Sequence, residues 1–153
     1  MGGSGAVFRG TRMTQPATIT PPSVVSLGSC WGTPTGQDLS SPSYMATGLQ
    51  CVAEAVLRRW STGAGELLDD PSYGYNLTDL VSDDLSPADI AYAQQQAAAE
   101  ARKDERVLAM TVTLTLTATG LLTVVGQGTT AAGPFKLVLA VTSVSVQLLL
   151  VQP

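Results

Sequence analysis

The chain has 153 residues, enough for one domain with a sizeable core, and a net charge of -4 at pH 7. This acidic balance gives no electrostatic reason to expect binding to nucleic acid or to an anionic membrane. The sequence contains no histidine, which excludes Ser-His-Asp and Cys-His nucleophile systems.

Residues 1–37 are rich in Gly, Ser, Thr and Pro and show neither a helical nor a strand period. We predict that they form an extended N-terminal arm and that residues 38–153 form the domain. Such a composition is typical of disorder. The alternative is an arm that orders on a partner, because Leu27 and Trp31 are unusual in a solvated tail.

The cysteines, Cys30 and Cys51, lack the close spacing of a metal site, so we predict no metal and no cofactor. The chain begins without an apolar leader, which favours two free thiols in a reducing cytoplasm. The uncharged run 137–151 is interrupted by Thr and Ser and is too short to span a bilayer as a helix, so it predicts a strand.

Two helices are predicted from their start signals. The first begins at Ser41-Pro42, an N-cap hydroxyl before a proline, and ends at 61–63. Apolar residues at helical spacing give it one buried stripe, made of Met45, Leu49, Val52, Val56 and Trp60. The second begins at Ser86-Pro87, where Asp89 completes a capping box, and Ala, Gln and Glu fill 88–103.

From Val107 the period changes to two, because apolar residues alternate with threonines, and this predicts a half-buried antiparallel strand. A turn at Gly120 leads into 121–125, a loop is predicted over 126–134, and 135–151 supplies one or two strands. The last strand's apolar face consists of Val144, Val146, Leu148 and Leu150. The predicted fold is α+β, with two to three helices packed on a small, mostly antiparallel sheet and an extended N-terminal arm.

Aspartates are concentrated between the two predicted helices, in a stretch without basic residues. The order of these aspartates does not fit an EF-hand loop, which needs a central Gly and a terminal Glu. Helix caps and turns are therefore favoured over a calcium site.

Residues 60–80, called the connector below, join the end of the first helix to two turns. Gly65 and Gly74 can take a positive φ, and Pro71 fixes its own φ. We predict a rigid segment in which the Glu66 carboxylate accepts a hydrogen bond that holds the turn.

The connector resembles a phage baseplate wedge family whose members initiate the contractile sheath. In that family a helix runs into Thr-Pro-x-Gly-Glu, followed by Pro-x-Tyr/Phe-Gly-x-x-Leu. The matching residues here are Thr62, Gly65, Glu66, Pro71, Tyr73, Gly74 and Leu77. Family members also have Glu-Pro-Arg before the sheet, where this chain has Asp104-Glu105-Arg106. Asp104 and Arg106 stand at the family's positions, and the alternative for them is a solvated helix end.

The resemblance implies a structural subunit of the tail baseplate in a virion, assembled in the host cytoplasm, and not an enzyme. It implies that the partners are other baseplate wedge subunits, the tail sheath protein and also tube or spike hub proteins. A type VI secretion baseplate component is similar to this family. The C-terminal strands, which are almost uncharged, suit pairing with a partner strand at a sheet edge.

The alternative function is a peptidoglycan-degrading, lysozyme-like enzyme of the tail, since wedge proteins of this family have been labelled lysozyme-like. It needs two carboxylates around a sugar cleft, and Glu66 with a nearby aspartate is the candidate pair. Aromatic residues make up only 5% of the chain, and only Tyr73 and Tyr75 lie close to Glu66 in sequence. The sequence therefore favours the structural subunit.

Overall fold

The computed structural model describes residues 26–32, 45–81 and 84–153. These residues form an α+β fold with two helices and two antiparallel sheets, which confirms the predicted fold class. The elements are β1 (Ser29–Trp31), β2 (Met45–Thr47), α1 (Leu49–Ser61), a 3-10 turn (Asp79–Val81), α2 (Pro87–Ala101), β3 (Ala109–Leu116), β4 (Leu122–Thr130), β5 (Gly133–Val141) and β6 (Val146–Gln152).

Helix α1 begins at Leu49, so the predicted start at 41–42, which lies outside the described residues, is wrong. Gly48 has a φ of 61°, a conformation that glycine adopts readily, and it turns the chain from β2 into the helix. Met45 belongs to β2 and is 47% exposed, so it is not part of the helical stripe. The predicted end of the helix is confirmed, because α1 stops at Ser61.

Residues 26–32, which we assigned to the arm, fold against the domain. Strand β1 pairs antiparallel with β2, with Trp31 opposite Met45. Leu27 is buried in the core, and Gly48 N donates a hydrogen bond to Gly28 O at 3.0 Å. Residues 1–25 and 33–37 of the predicted arm lie outside the described residues.

Helix α2 begins at the predicted capping box. Asp89 N donates to Ser86 Oγ at 3.3 Å, and Ser86 N donates to Asp89 Oδ2 at 3.0 Å. The helix ends at Ala101, before the predicted end at 103. Its buried alanines allow α1 to approach so closely that Trp60 Nε1 donates to Ala97 O at 2.9 Å.

The larger sheet is an antiparallel meander in the order β3-β4-β5-β6. The predicted alternation in β3 is confirmed, because its apolar side chains face the core and its threonines are exposed. The predicted loop over 126–134 is wrong, since β4 and β5 occupy most of it. A Cβ atom on Gly126 would lie 3.3 Å from the Trp60 ring, and one on Gly128 would lie 2.6 Å from the Phe135 ring. These strand glycines therefore make room for aromatic side chains.

The predicted apolar face of the last strand is only partly correct. A β-bulge shifts the register, so that Leu148 lies opposite Leu139 and Leu150 lies opposite Val138. Leu148 and Val151 pack on the core, whereas Leu150 is exposed. Val144 is also exposed, in the turn before β6.

Candidate functional site

The connector folds back onto the C-terminal end of α1. Tyr75 N donates to Arg59 O at 2.8 Å, and Leu77 N donates to Trp60 O at 2.9 Å. These are carbonyls of the last helical turn, which have no partner within the helix. The Leu77 side chain is completely buried in the core. The connector therefore caps the C-terminal end of α1, and the Leu77 side chain anchors the connector in the core.

The first turn of the connector is closed by the predicted carboxylate. Gly63 N donates to Glu66 Oε2 at 2.9 Å, and Glu66 N donates to Gly63 O at 3.1 Å. Thr62 Oγ1 donates to Arg58 O at 2.8 Å, which ties the turn to α1. Gly65, with a φ of 88°, donates from its N to Pro71 O at 2.9 Å and so joins the first turn to the second.

The second turn requires glycine at position 74 for two reasons. The φ of Gly74 is 98°, and a Cβ atom there would lie 2.3 Å from Thr62 O. Before it, Asp70 Oδ1 accepts hydrogen bonds from Ser72 Oγ at 2.7 Å and Ser72 N at 3.1 Å. These bonds hold the pKa of Asp70 below its usual value.

A buried carboxylate, Glu100 of α2, lies beneath the second turn. Its Oε1 atom accepts from Gly74 N at 2.8 Å and from Arg59 Nη1 at 2.9 Å, and its Oε2 lies 2.6 Å from Lys103 Nζ. Burial acts to raise the pKa of Glu100, but the hydrogen bonds from Lys103, Gly74 and Arg59 outweigh it and hold the pKa below its usual value.

Arg59 and Lys103, the two cations that bind Glu100, also contact the connector directly. The Arg59 guanidinium lies over the Tyr73 ring, 4.4 Å from its centroid, and Lys103 Nζ donates to Ser72 O. We call Arg59, Tyr73, Gly74, Glu100 and Lys103 the Glu100 node. It joins α1, the connector and α2 around one negative charge.

Asp104 and Arg106 form a two-pronged ion pair just after α2. Arg106 Nε donates to Asp104 Oδ1 at 2.8 Å, and Arg106 Nη2 donates to Oδ2 at 2.6 Å. Arg106 Nη1 reaches Leu27 O at 3.2 Å and Cys51 Sγ at 3.3 Å. Hydrogen bonds from Arg106 hold the pKa of Asp104 below its usual value. The pair is partly buried and clamps other elements, so the alternative of a solvated helix end is wrong.

The Glu100 node and the Asp104–Arg106 pair meet at one cleft. Its volume is about 590 Å³, and it is lined by Ser26, Leu27, Gly28, Arg59, Lys103, Asp104, Glu105 and Arg106. Arg59 and Lys103 belong to the Glu100 node, and Asp104 and Arg106 form the ion pair. Of the residues predicted for the site, the cleft therefore contains Asp104 and Arg106, and no connector residue lines it.

The sequence analysis missed Glu100, the centre of this arrangement. The only local signal is that Glu100 is the sole charged residue between Asp89 and Arg102. Of its three partners, Lys103 is close in sequence, but Arg59 and Gly74 are distant, so the sequence gives no signal for them.

The Glu100 and Asp104 carboxylates are better suited to a structural role than to proton transfer. A general acid near neutral pH needs a raised pKa. Glu100 and Asp104 instead pair with cations that hold their pKa values low. Within 26–32, 45–81 and 84–153, no group of three or more Cys, Asp or Glu side chains is placed to hold a metal ion. No helix in these ranges is long and apolar enough to cross a membrane.

Comparison of the chain with models of known protein families and with curated proteins finds no match.

Proposed function

We propose that the chain is a structural subunit of the baseplate wedge of a contractile phage tail. In this role it braces other wedge subunits and offers a sheet edge on which the tail sheath begins to assemble. The observation that carries the proposal is the connector, whose residues resemble the wedge-family pattern at seven positions and are joined by hydrogen bonds to both helices. A segment held this firmly presents the same surface to every partner, which a repeating assembly requires.

The exposed side of the connector supplies the contact for other wedge subunits. Leu68 is 94% exposed, and its neighbour Leu67 is also exposed. Both lie between turns that are fixed by Glu66 and by Gly65, so they project from a rigid support. Exposed leucines on a rigid turn are suited to burial against a partner protein.

The outer strand β6 supplies the contact for the sheath protein. It is one of the two edges of the larger sheet, and Leu149 on it is 59% exposed. Its backbone groups on the outer side are free of ladder pairing within the sheet, so an extended segment of a neighbour can add to it as a further strand. No nucleic acid, membrane or cofactor has a part in this role.

Labelling of the assembled particle tests this proposal. An epitope tag on the chain, located by immunogold electron microscopy of contractile particles made by the same genome, should place the label at the baseplate end of the tail. Deletion of the gene should leave tails without sheath. Label absent from purified particles, or normal particles made without the gene, would overturn the proposal.

A further inference from the structure

The fold brings the two cysteines together. Cys30 lies in the centre of β1, and Cys51 lies in the first turn of α1. Cys30 Sγ donates to Cys51 O at 3.8 Å, and the Cys51 thiol is near enough to raise the pKa of Cys30. Both are free thiols in this structure.

Hydrogen bonds hold the chain beside both thiols. Gly48 N donates to Gly28 O at 3.0 Å, which fixes the entry to β1 beside the entry to α1. Arg106 Nη1 donates to Leu27 O at 3.2 Å and to Cys51 Sγ at 3.3 Å. One guanidinium therefore holds the segment before Cys30 and the sulfur of Cys51.

The two sulfurs differ in access. Cys51 is 1% exposed, whereas Cys30 is only half-buried, so a small reagent reaches Cys30 first. Burial and the neighbouring Cys51 thiol raise the pKa of Cys30 to about 11. Since the thiolate is the attacking form, Cys30 reacts slowly at neutral pH and faster as the pH rises.

We propose that Cys30 and Cys51 are a modification site, at which a small-molecule disulfide of the glutathione type oxidises them to an intramolecular disulfide. The Cys30 thiolate attacks one sulfur of the reagent, whose S–S bond breaks and releases one thiolate. The Cys51 sulfur then attacks the Cys30 sulfur of the mixed disulfide and releases the second thiolate. The two protein protons pass to the released thiolates, so the protein is oxidised by two electrons and the reagent is reduced.

The new bond covalently ties β1 to α1, in addition to the Arg106 clamp. A cross-link between residues 30 and 51 closes a loop and removes conformational freedom from the unfolded chain. We expect the oxidised chain to unfold at a temperature roughly 5–10 °C above that of the reduced chain.

The test incubates the full chain with reduced and oxidised glutathione at fixed ratios, followed by acid quenching, alkylation and intact-mass measurement. The expected product has lost two hydrogens, carries no glutathione and resists alkylation at both cysteines. Its rate of formation should rise about tenfold per pH unit between pH 7 and 9, as the Cys30 thiolate fraction does. The variant Cys51→Ser should stop at one bound glutathione, and Cys30→Ser should remain largely unmodified.

The same titration in urea separates the role of the fold from that of two nearby cysteines. The equilibrium constant for disulfide formation should be at least about tenfold larger in the folded chain than in the unfolded chain. Equal constants would overturn the proposal. Retained glutathione on the unaltered chain, covalent dimers as the main product, or no oxidation would also overturn it.

Discussion

Gly74 N donates a hydrogen bond to Glu100 Oε1 at 2.8 Å, across 26 positions of the sequence. Through this bond the second turn of the connector rests on a carboxylate of α2 that is only 4% exposed. Arg59 binds the same oxygen atom, so the end of α1 and the connector share one acceptor. The position of the connector therefore depends on the charge of Glu100.

Removing the negative charge of Glu100 should destabilise the domain. Glu100→Gln keeps an acceptor for Gly74 but leaves Arg59, whose side chain is only 17% exposed, without its counter-charge. We expect a loss of about 1–3 kcal/mol in the free energy of unfolding, measured by urea denaturation at pH 7. The matched control is Lys103→Met, which removes the more exposed partner and should lose no more than about 1 kcal/mol. A Glu100→Gln chain as stable as the unaltered one would contradict this role.

A fall in pH should destabilise the domain, because Glu100 and Asp104 then become protonated. Both carboxyls have folded pKa values below their ordinary values of 4.5 and 3.8, so the unfolded chain binds protons more readily. Their contribution to stability is complete above about pH 5.5 and is lost as the pH falls through the folded pKa values. The free energy of unfolding should therefore decline from about pH 5 downwards. Asp104→Asn should reduce this decline, and an unfolding free energy that stays constant between pH 3 and 6 would refute the assignment.

The two positive-φ glycines of the connector should differ in their tolerance of alanine. At Gly65 a Cβ atom meets nothing within 4 Å, so Gly65→Ala should lose only roughly 1 kcal/mol from the strained φ. At Gly74 the Cβ atom would also collide with Thr62 O, and Gly74→Ala should lose roughly 3 kcal/mol or more. Thermal unfolding of both variants compares them directly, and equal losses would show that the close approach to Thr62 is unimportant.

Valine at either position should also prevent assembly into particles.

The connector carboxylate should have no hydrolytic role. Glu66 accepts a hydrogen bond from Gly63 N, and Glu66→Gln keeps an acceptor at that place. On a peptidoglycan zymogram we expect no clearing from the unaltered chain or from Glu66→Gln, next to a lysozyme standard that clears. Clearing by the unaltered chain that disappears in Glu66→Gln would favour the lysozyme-like enzyme over the structural subunit.

Features that depend on neighbouring residues could be predicted from the sequence. The capping box at Ser86 and Asp89, the alternation of β3 and the turn held by Glu66 all involve residues a few positions apart. Features that depend on distant contacts could not. In the sequence Gly126 indicates a loop, whereas in the fold it lies in a strand and makes room for the ring of Trp60, which is far away in sequence.

In the candidate site, too, features set by neighbouring residues could be predicted and those set by distant contacts could not. The connector could be found because its turns need glycine and proline at fixed spacing. Glu100 could not be found, because two of its three partners, Arg59 of α1 and Gly74 of the connector, come close to it only once the chain is folded. Strand β1 could not be predicted for a similar reason, since it is too short to show a period and its partner β2 is separated from it by residues 32–44.

The edge of β6 offers a test that separates sheath initiation from bracing of the wedge. Leu149 is exposed on this outer strand, and lysine at such a position discourages the addition of another strand. Leu149→Lys should therefore give baseplates that contain the chain but do not grow sheath, as seen by electron microscopy of assembly products. The matched control is Thr113→Lys on β3, the opposite edge, which is also exposed and should leave assembly intact. Thermal unfolding of both variants checks that the domain is folded. Full-length sheath on Leu149→Lys baseplates would exclude β6 as the initiating edge.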